Sequence, residues 1–229
     1  MQVCMKRKVN SMTISTDDLI KSILESFDRI EFIKSEDIPN IDLYMDQVTT
    51  FMDAKMKSTT RYPREDKILT KTMINNYAKN NLLPPPIKKK YSKEHLLILI
   101  FIYYFKNILS ISDIQELLTP LTEQFFGGMG EIKLTDIYDE VFGLRDAQVE
   151  SLKQEVQKAY ADTQKTFADV EGDEKEFLQQ FAFICVLSFD VYIKKLLIEK
   201  MVDDMREKRQ QSEGANKKTK DKAGREAEK

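Results

Sequence analysis

A mainly helical, all-α fold is predicted, and three observations predict it. Only seven glycines and six prolines occur in 229 residues, with half of the prolines in one cluster, so long segments carry no breaker. Leu, Ile, Lys, Glu, Asp and Gln dominate those segments. Within them apolar residues recur at three- and four-residue spacing, the mark of a helix with one buried side. A chain of 229 residues can bury one good core and a second, smaller one.

Residues 1–12 read as a flexible N-terminus, and 13–126 as one helical domain. Thr16, ahead of Asp17 and Asp18, caps a helix running to about Ile33, with Leu19, Ile20, Ile23, Leu24, Phe27 and Ile30 as its buried stripe. Pro39 punctuates. Leu43–Met56 is the next helix, with Leu43, Val48, Phe51 and Met52 inward. Thr70 caps a short helix over Lys71–Asn80, in which Met73, Ile74 and Tyr77 form the apolar side. Pro84, Pro85 and Pro86 cannot continue it. Ser92 caps a helix to about Ile108 that holds the longest apolar run, Leu96–Phe105, and Ser110 caps another to about Phe126.

Gly127, Gly128 and Gly130 make a hinge at 127–133, which is expected to separate this domain from a C-terminal helical region at 134–208. There Leu134–Val141, Asp146–Val170 and Glu174–Lys208 read as helices. The stretch Phe181–Phe189 is apolar nearly all round, which calls for burial on several sides. Two readings carry equal weight: it is the axis of its own domain, or it is covered by a partner subunit. Residues 209–229 have no apolar periodicity and are expected to be a disordered charged tail.

The net charge of −2 hides an asymmetry. Residues 61–93 hold nine Lys/Arg against two Asp/Glu, a net of +7, whereas 94–205 carry a net of −11. A positive segment in an acidic body concentrates attraction for phosphate in one place. On the short helix, Lys71, Thr72, Asn75, Asn76 and Lys79 lie away from the apolar side, and their donors and acceptors suit base edges and phosphates. Lys88, Lys89 and Lys90 follow the proline stop, with Tyr91 and Lys93 close behind. Double-stranded DNA is the expected partner, with Thr70 and these ten residues as the contact set.

This layout resembles the MerR-like winged helix-turn-helix family. Thr70 stands at the family's cap, Tyr77 at its second aromatic, Leu82-Leu83-Pro84 at its turn and Tyr91-Ser92 at its next helix start. Ile102 and Lys106 fit its third helix, and Ser110–Leu118 its fourth, so the resemblance spans residues 68–118. Departures are Asn75 and Asn76 in place of an arginine and a tyrosine, and a wing shortened to Pro84–Lys90. Asn81 replaces a glycine, and asparagine tolerates left-handed backbone better than most residues. Such a pattern resembles an uncharacterised bacterial family carrying a MerR-like domain. The resemblance implies a homodimer on a two-fold DNA site, joined through C-terminal helices; any effector is unknown.

Catalytic chemistry is not supported. His95 is the single histidine, beside Glu94 in the first turn of a helix, and reads as a structural residue. Cys4 and Cys185 are isolated, so neither a disulfide framework nor a metal-ligand spacing is present, and no cofactor is expected. No stretch approaches the ~20 apolar residues of a membrane span, and the basic start lacks the apolar core of a secretory signal. A cytoplasmic protein is expected. The functional reading is a DNA-binding transcriptional regulator; the alternative is a non-enzymatic helical protein–protein adaptor that uses the winged-helix scaffold differently.

Overall fold

A computed structural model describes residues 16–27, 32–62, 64–128 and 130–227. The flexible start assigned to 1–12, and residues 28–31 of the first expected helix, lie outside the described residues. The protein is mostly helical, as the scarcity of breakers predicts. The elements are α1 (Thr16–Phe27), β1 (Leu43–Tyr44), α2 (Met45–Met56), α3 (Lys71–Lys79), β2 (Lys90–Tyr91), α4 (Lys93–Phe105), α5 (Ile111–Phe125), α6 (Leu134–Gly143), α7 (Arg145–Thr163) and α8 (Gly172–Ala227). The two short strands pair antiparallel, Leu43 opposite Tyr91 and Tyr44 opposite Lys90.

The core is built around α4. Every residue from His95 to Tyr103 is buried, which explains why this helix is apolar all round rather than along one stripe. Val48, Met52 and Met56 of α2, Ile74 and Tyr77 of α3, and Ile114 and Leu118 of α5 belong to the same cluster. Lys106, just past α4, reaches back across the body. Its Nζ donates to the Ile68 carbonyl at 2.9 Å and lies 4.8 Å from the centre of the Tyr103 ring. That bond fixes the segment leading into α3.

Helix α6 belongs to this core too. Leu134 and Tyr138 are fully buried, Phe142 packs beside them, and the Tyr138 hydroxyl donates to the Ile33 carbonyl at 2.5 Å. Tyr138 and Phe142 lie 4.2 Å apart between ring centres and extend an aromatic cluster with Phe101 and Tyr104. The glycines at 127–130 therefore connect two elements of one core instead of dividing two domains. Turn chemistry marks where the chain bends, and only burial decides which bends are boundaries.

Beyond α6 the packing thins. α7 runs back along the first part of α8, with Phe183 and Gln179 buried there; Gln179 donates to the carbonyls of Gln164 and Thr166 at 2.7 and 3.1 Å. α1 rests on this pair through Thr16 to Glu176 and Tyr160 to Asp17. Further along, α8 meets α5: Arg206 donates to Asp113 and Arg209 to the buried Glu116, at 2.8 and 2.9 Å. The helix then continues to Ala227, through the stretch expected as a disordered tail. Extending an existing helix needs only propagation, and the Lys, Glu, Gln and Ala of that stretch are good helix formers.

Candidate nucleic-acid interface

Helix α3 is positioned by both of its ends. At its start the Thr70 hydroxyl accepts from the Met73 N–H at 3.2 Å. At its end Asn81 turns left-handed with φ 55°, and the Leu82 and Asn81 N–H groups donate to the Tyr77 and Ala78 carbonyls. This is the paired closing motif in which the residue after the helix needs positive φ. Leu82 and Leu83 are buried immediately afterwards and anchor the turn.

Between these ends, Ile74 and Tyr77 are buried while Lys71, Thr72, Asn75, Asn76 and Lys79 stand at least partly exposed. Thr72, Asn75, Asn76 and Lys79 are spaced to share one side of the helix. Two candidates are occupied otherwise. The Thr70 hydroxyl is engaged as the cap, and Lys71 pairs with Asp46 in the first turn of α2.

The lysine segment is a hairpin tip. Ile87 and Lys90 exchange backbone hydrogen bonds of 3.1 and 2.9 Å, and Lys88 and Lys89 between them have φ of 50° and 64°. Two left-handed residues in a two-residue loop form the turn type that matches strand twist and normally takes Asn-Gly. Lysine at both places stores strain of about 1–2 kcal/mol per residue. Both side chains are exposed. Lys90 is half-buried, its ammonium 5.2 Å from the centre of the Tyr44 ring. Tyr44 directly precedes α2, whose Asp46 holds Lys71. One stretch, β1 and the first turn of α2, thus borders both the start of α3 and the hairpin.

Tyr91 does not belong to the contact set. It is buried, and burial raises its pKa; successive strand residues face opposite sides, so exposing the hairpin's Lys90 side sends Tyr91 inward. Its ring meets His95 edge-on at 5.4 Å, and His95 meets Phe126 at 4.8 Å. Lys93 is partly buried in the first turn of α4.

His95 is buried, deeper than the surface or partly buried position its sequence context suggests. Its Nδ1 accepts from the Ser92 N–H at 2.9 Å and lies 2.8 Å from the Ser92 hydroxyl, closing a capping box with histidine in the place of Glu or Gln. Burial lowers its pKa, against the opposing pull of the Pro85 and Pro84 carbonyls and Asp42. Glu94 beside it accepts from the Gly127 N–H at 2.9 Å. The proline stop, α4 and the end of α5 are joined at this point.

The α5–α8 junction is absent from the sequence expectations. Asp113 and Glu116 are three apart, as are Arg206 and Arg209, and the two pairs meet across 93 positions. Matching spacing of acids and arginines on separate helices is the signal that points to it. Ser110 first, and then Arg206, hold the Asp113 pKa below the ordinary carboxylate value.

Comparison with protein families gives one match: residues 33–141 fit the model of a domain of unknown function, DUF1836. The match starts just before the short turn at Ser35–Asp37 and ends within α6, close to the limits of the packed core. No MerR or helix-turn-helix family model matches, so the assignment to a MerR-like family is corrected. Its motif consists of common residue types at caps and turns, which unrelated helical domains also need. No curated protein and no solved structure matches the chain.

Proposed function

We propose that this protein binds double-stranded DNA as a transcriptional regulator, using the order α2, α3 and lysine hairpin as a winged helix-turn-helix. α3 enters the major groove, where Asn75 or Asn76 reads adenine through paired hydrogen bonds and Thr72 and Lys79 make flanking contacts. Lys88, Lys89 and Lys90 hold phosphate, since an ammonium supplies charge without a fixed fork. The observation that carries this reading is the pairing of an exposed Thr/Asn/Lys side on a doubly capped helix with a strained two-lysine tip. Strain of that kind concentrates at functional sites, and the net +7 of residues 61–93 supports phosphate as the ligand.

The test is recovery of genomic fragments with the purified protein, followed by sequencing. A shared site that shifts or relaxes in Asn75→Ala or Asn76→Ala supports the reading. Recovery of random fragments equally by wild type and variants contradicts it.

A second reading, a helical protein–protein adaptor, draws on the Lys71–Asp46 pair, which places an acid at the start of α3, and on the net −11 of residues 94–205. In that case Lys88→Ala, Lys89→Ala and Lys90→Ala together leave cellular function intact, and polar substitutions within 177–197 abolish it.

A further inference from the structure

The connection between α2 and α3 and the end of α4 frame a cleft of about 380 Å³. That lies within the ~300–1,000 Å³ usual for small-molecule sites. Its wall carries three cations, Arg61, Lys67 and Lys106, against one acid, Asp66. Asp66 is engaged in its own turn, where its carboxylate accepts from the Tyr62 N–H at 3.0 Å. The cleft between α1 and α7 differs, since Asp17 and Glu25 there balance Lys21 and Lys153. Charge in the first cleft favours an anion.

Lys106 is the cation best placed to hold one. Its side chain is half-buried, and burial lowers its pKa, with Asp66 opposing. An ammonium has three N–H groups. The Ile68 carbonyl takes one of them, and the Tyr103 ring lies 4.8 Å from the same ammonium. A charge held partly out of water is favoured by an opposite charge beside it. Lys67 and Arg61 are exposed and extend the same field. The hydroxyls on the wall act differently. Thr59 donates to the Met56 carbonyl at 2.6 Å, so the Tyr103 hydroxyl, 2.8 Å away, donates to Thr59. Thr60 donates to the Lys57 carbonyl at 2.9 Å. With those protons committed, Thr60 and Tyr103 offer a ligand only lone pairs, which accept from hydroxyl groups.

We propose that this cleft binds a small hydroxylated molecule carrying a phosphate monoester. The phosphate sits on Lys106, with Lys67 and Arg61 on its outer side, and the ligand's hydroxyls donate to Thr60 and Tyr103. The excess of two positive charges on the wall matches the charge of about −1.5 to −2 on a phosphate monoester at neutral pH. Asn107 adds an amide donor. Thr70, the cap of α3, follows Ile68 by two residues, so a ligand that holds Lys106 also steadies the lead-in to that helix. None of the residues lining the cleft is a DNA-contact residue, so binding here stands or falls apart from the DNA reading.

Amide NMR shifts of the full chain test it, with glycerol 3-phosphate and inorganic phosphate as probes and sodium chloride at matched ionic strength as the control. Glycerol 3-phosphate is expected to give saturable shifts at Thr60, Lys67, Ile68 and Asn107, and to bind more tightly than inorganic phosphate. Equal binding of the two overturns the hydroxylated ligand, and the same shifts with chloride overturn the site. Lys67→Ala alters an exposed side chain, so the ligand-free fold is expected to be unchanged while affinity falls about two- to fivefold. Lys106→Met is expected to weaken binding at least about tenfold. Unchanged affinity in either variant overturns the proposal. A short duplex that shifts the same amides and displaces glycerol 3-phosphate assigns the cleft to backbone phosphate, which overturns a small-molecule ligand.

Discussion

Helices α4 and α8 share a sequence character and have opposite surroundings. Both carry apolar runs with no polar side: Leu96–Phe105 in the first, much of Phe177–Met205 in the second. In α4 that run is wholly inside or at the margin of the core, because α5, α6 and β2 close around it and α2 and α3 complete the cluster. In α8 one side is met by α7, as far along as Lys194 against Glu155, and the stretch near Val202 by α5, while Phe189 to Leu197 stay exposed. An all-round apolar helix states a demand for cover without naming what supplies it. The chain supplies the cover for α4 itself and leaves much of the apolar surface of α8 exposed.

Truncation is the strongest way to break this comparison. Leu97 is fully buried, so Leu97→Ala is expected to cost about 2–5 kcal/mol in chemical denaturation, from reduced burial and the cavity left behind. Phe189 is exposed, and Phe189→Ala is expected to fall within about 0.5 kcal/mol of wild type. A comparable loss for both would mean that α8 is covered within its own chain.

The α5–α8 junction gives the next effect. Glu116 is buried, and Glu116→Ala removes the acceptor for Arg209. Because that arginine is part-exposed, water recovers some of the loss, and about 1–2 kcal/mol is expected. Hydrogen exchange should quicken along residues 198–212 and stay unchanged in α4. Uniform quickening would place the junction within the core's own cooperative unit.

A smaller effect follows pH. His95 has a folded-state pKa lowered by burial, so the unfolded chain binds the extra proton more readily. Stability from this group is fully present above its unfolded pKa, near 6.5, and is lost as pH falls toward the folded value. His95→Gln keeps a capping-box residue at the same place without titrating. It is expected to flatten the dependence of melting temperature on pH between about pH 7 and pH 5.5 relative to wild type. An unchanged slope would mean that His95 does not link folding to pH.

The sequence makes much of the core legible and less of the site. The apolar spacing in α2, α3 and α5 and the caps at Thr70, Ser92 and Ser110 mark elements that are present, because local capping and periodicity act within one turn. Asn81 in the left-handed region is readable for the same reason. Tyr91 reads as outward because no run of alternating residues announces a two-residue strand. The α6 placement depends on Phe101 and Ile33, distant in the chain, which spacing cannot show. The lysine tip is hidden because its turn normally takes Asn-Gly, so residue preference argues against the conformation the hairpin imposes.

That tip gives the smallest stability change. Lys88→Gly with Lys89→Gly relieves two positive-φ lysines and is expected to raise stability by up to about 1 kcal/mol, measured by thermal melting, while removing two charges. A loss of stability would mean that the lysines hold the turn rather than strain it.

DNA binding through α3 and the hairpin is tested most directly by duplex affinity across salt concentration, for the wild type and for Lys88→Ala, Lys89→Ala, Lys90→Ala together. Wild-type binding is expected to weaken log-linearly with salt. In the variant the slope should be shallower by roughly one unit for each phosphate that a lysine no longer neutralises. A wild type that binds no duplex at low salt, or a variant with an unchanged slope, would contradict it.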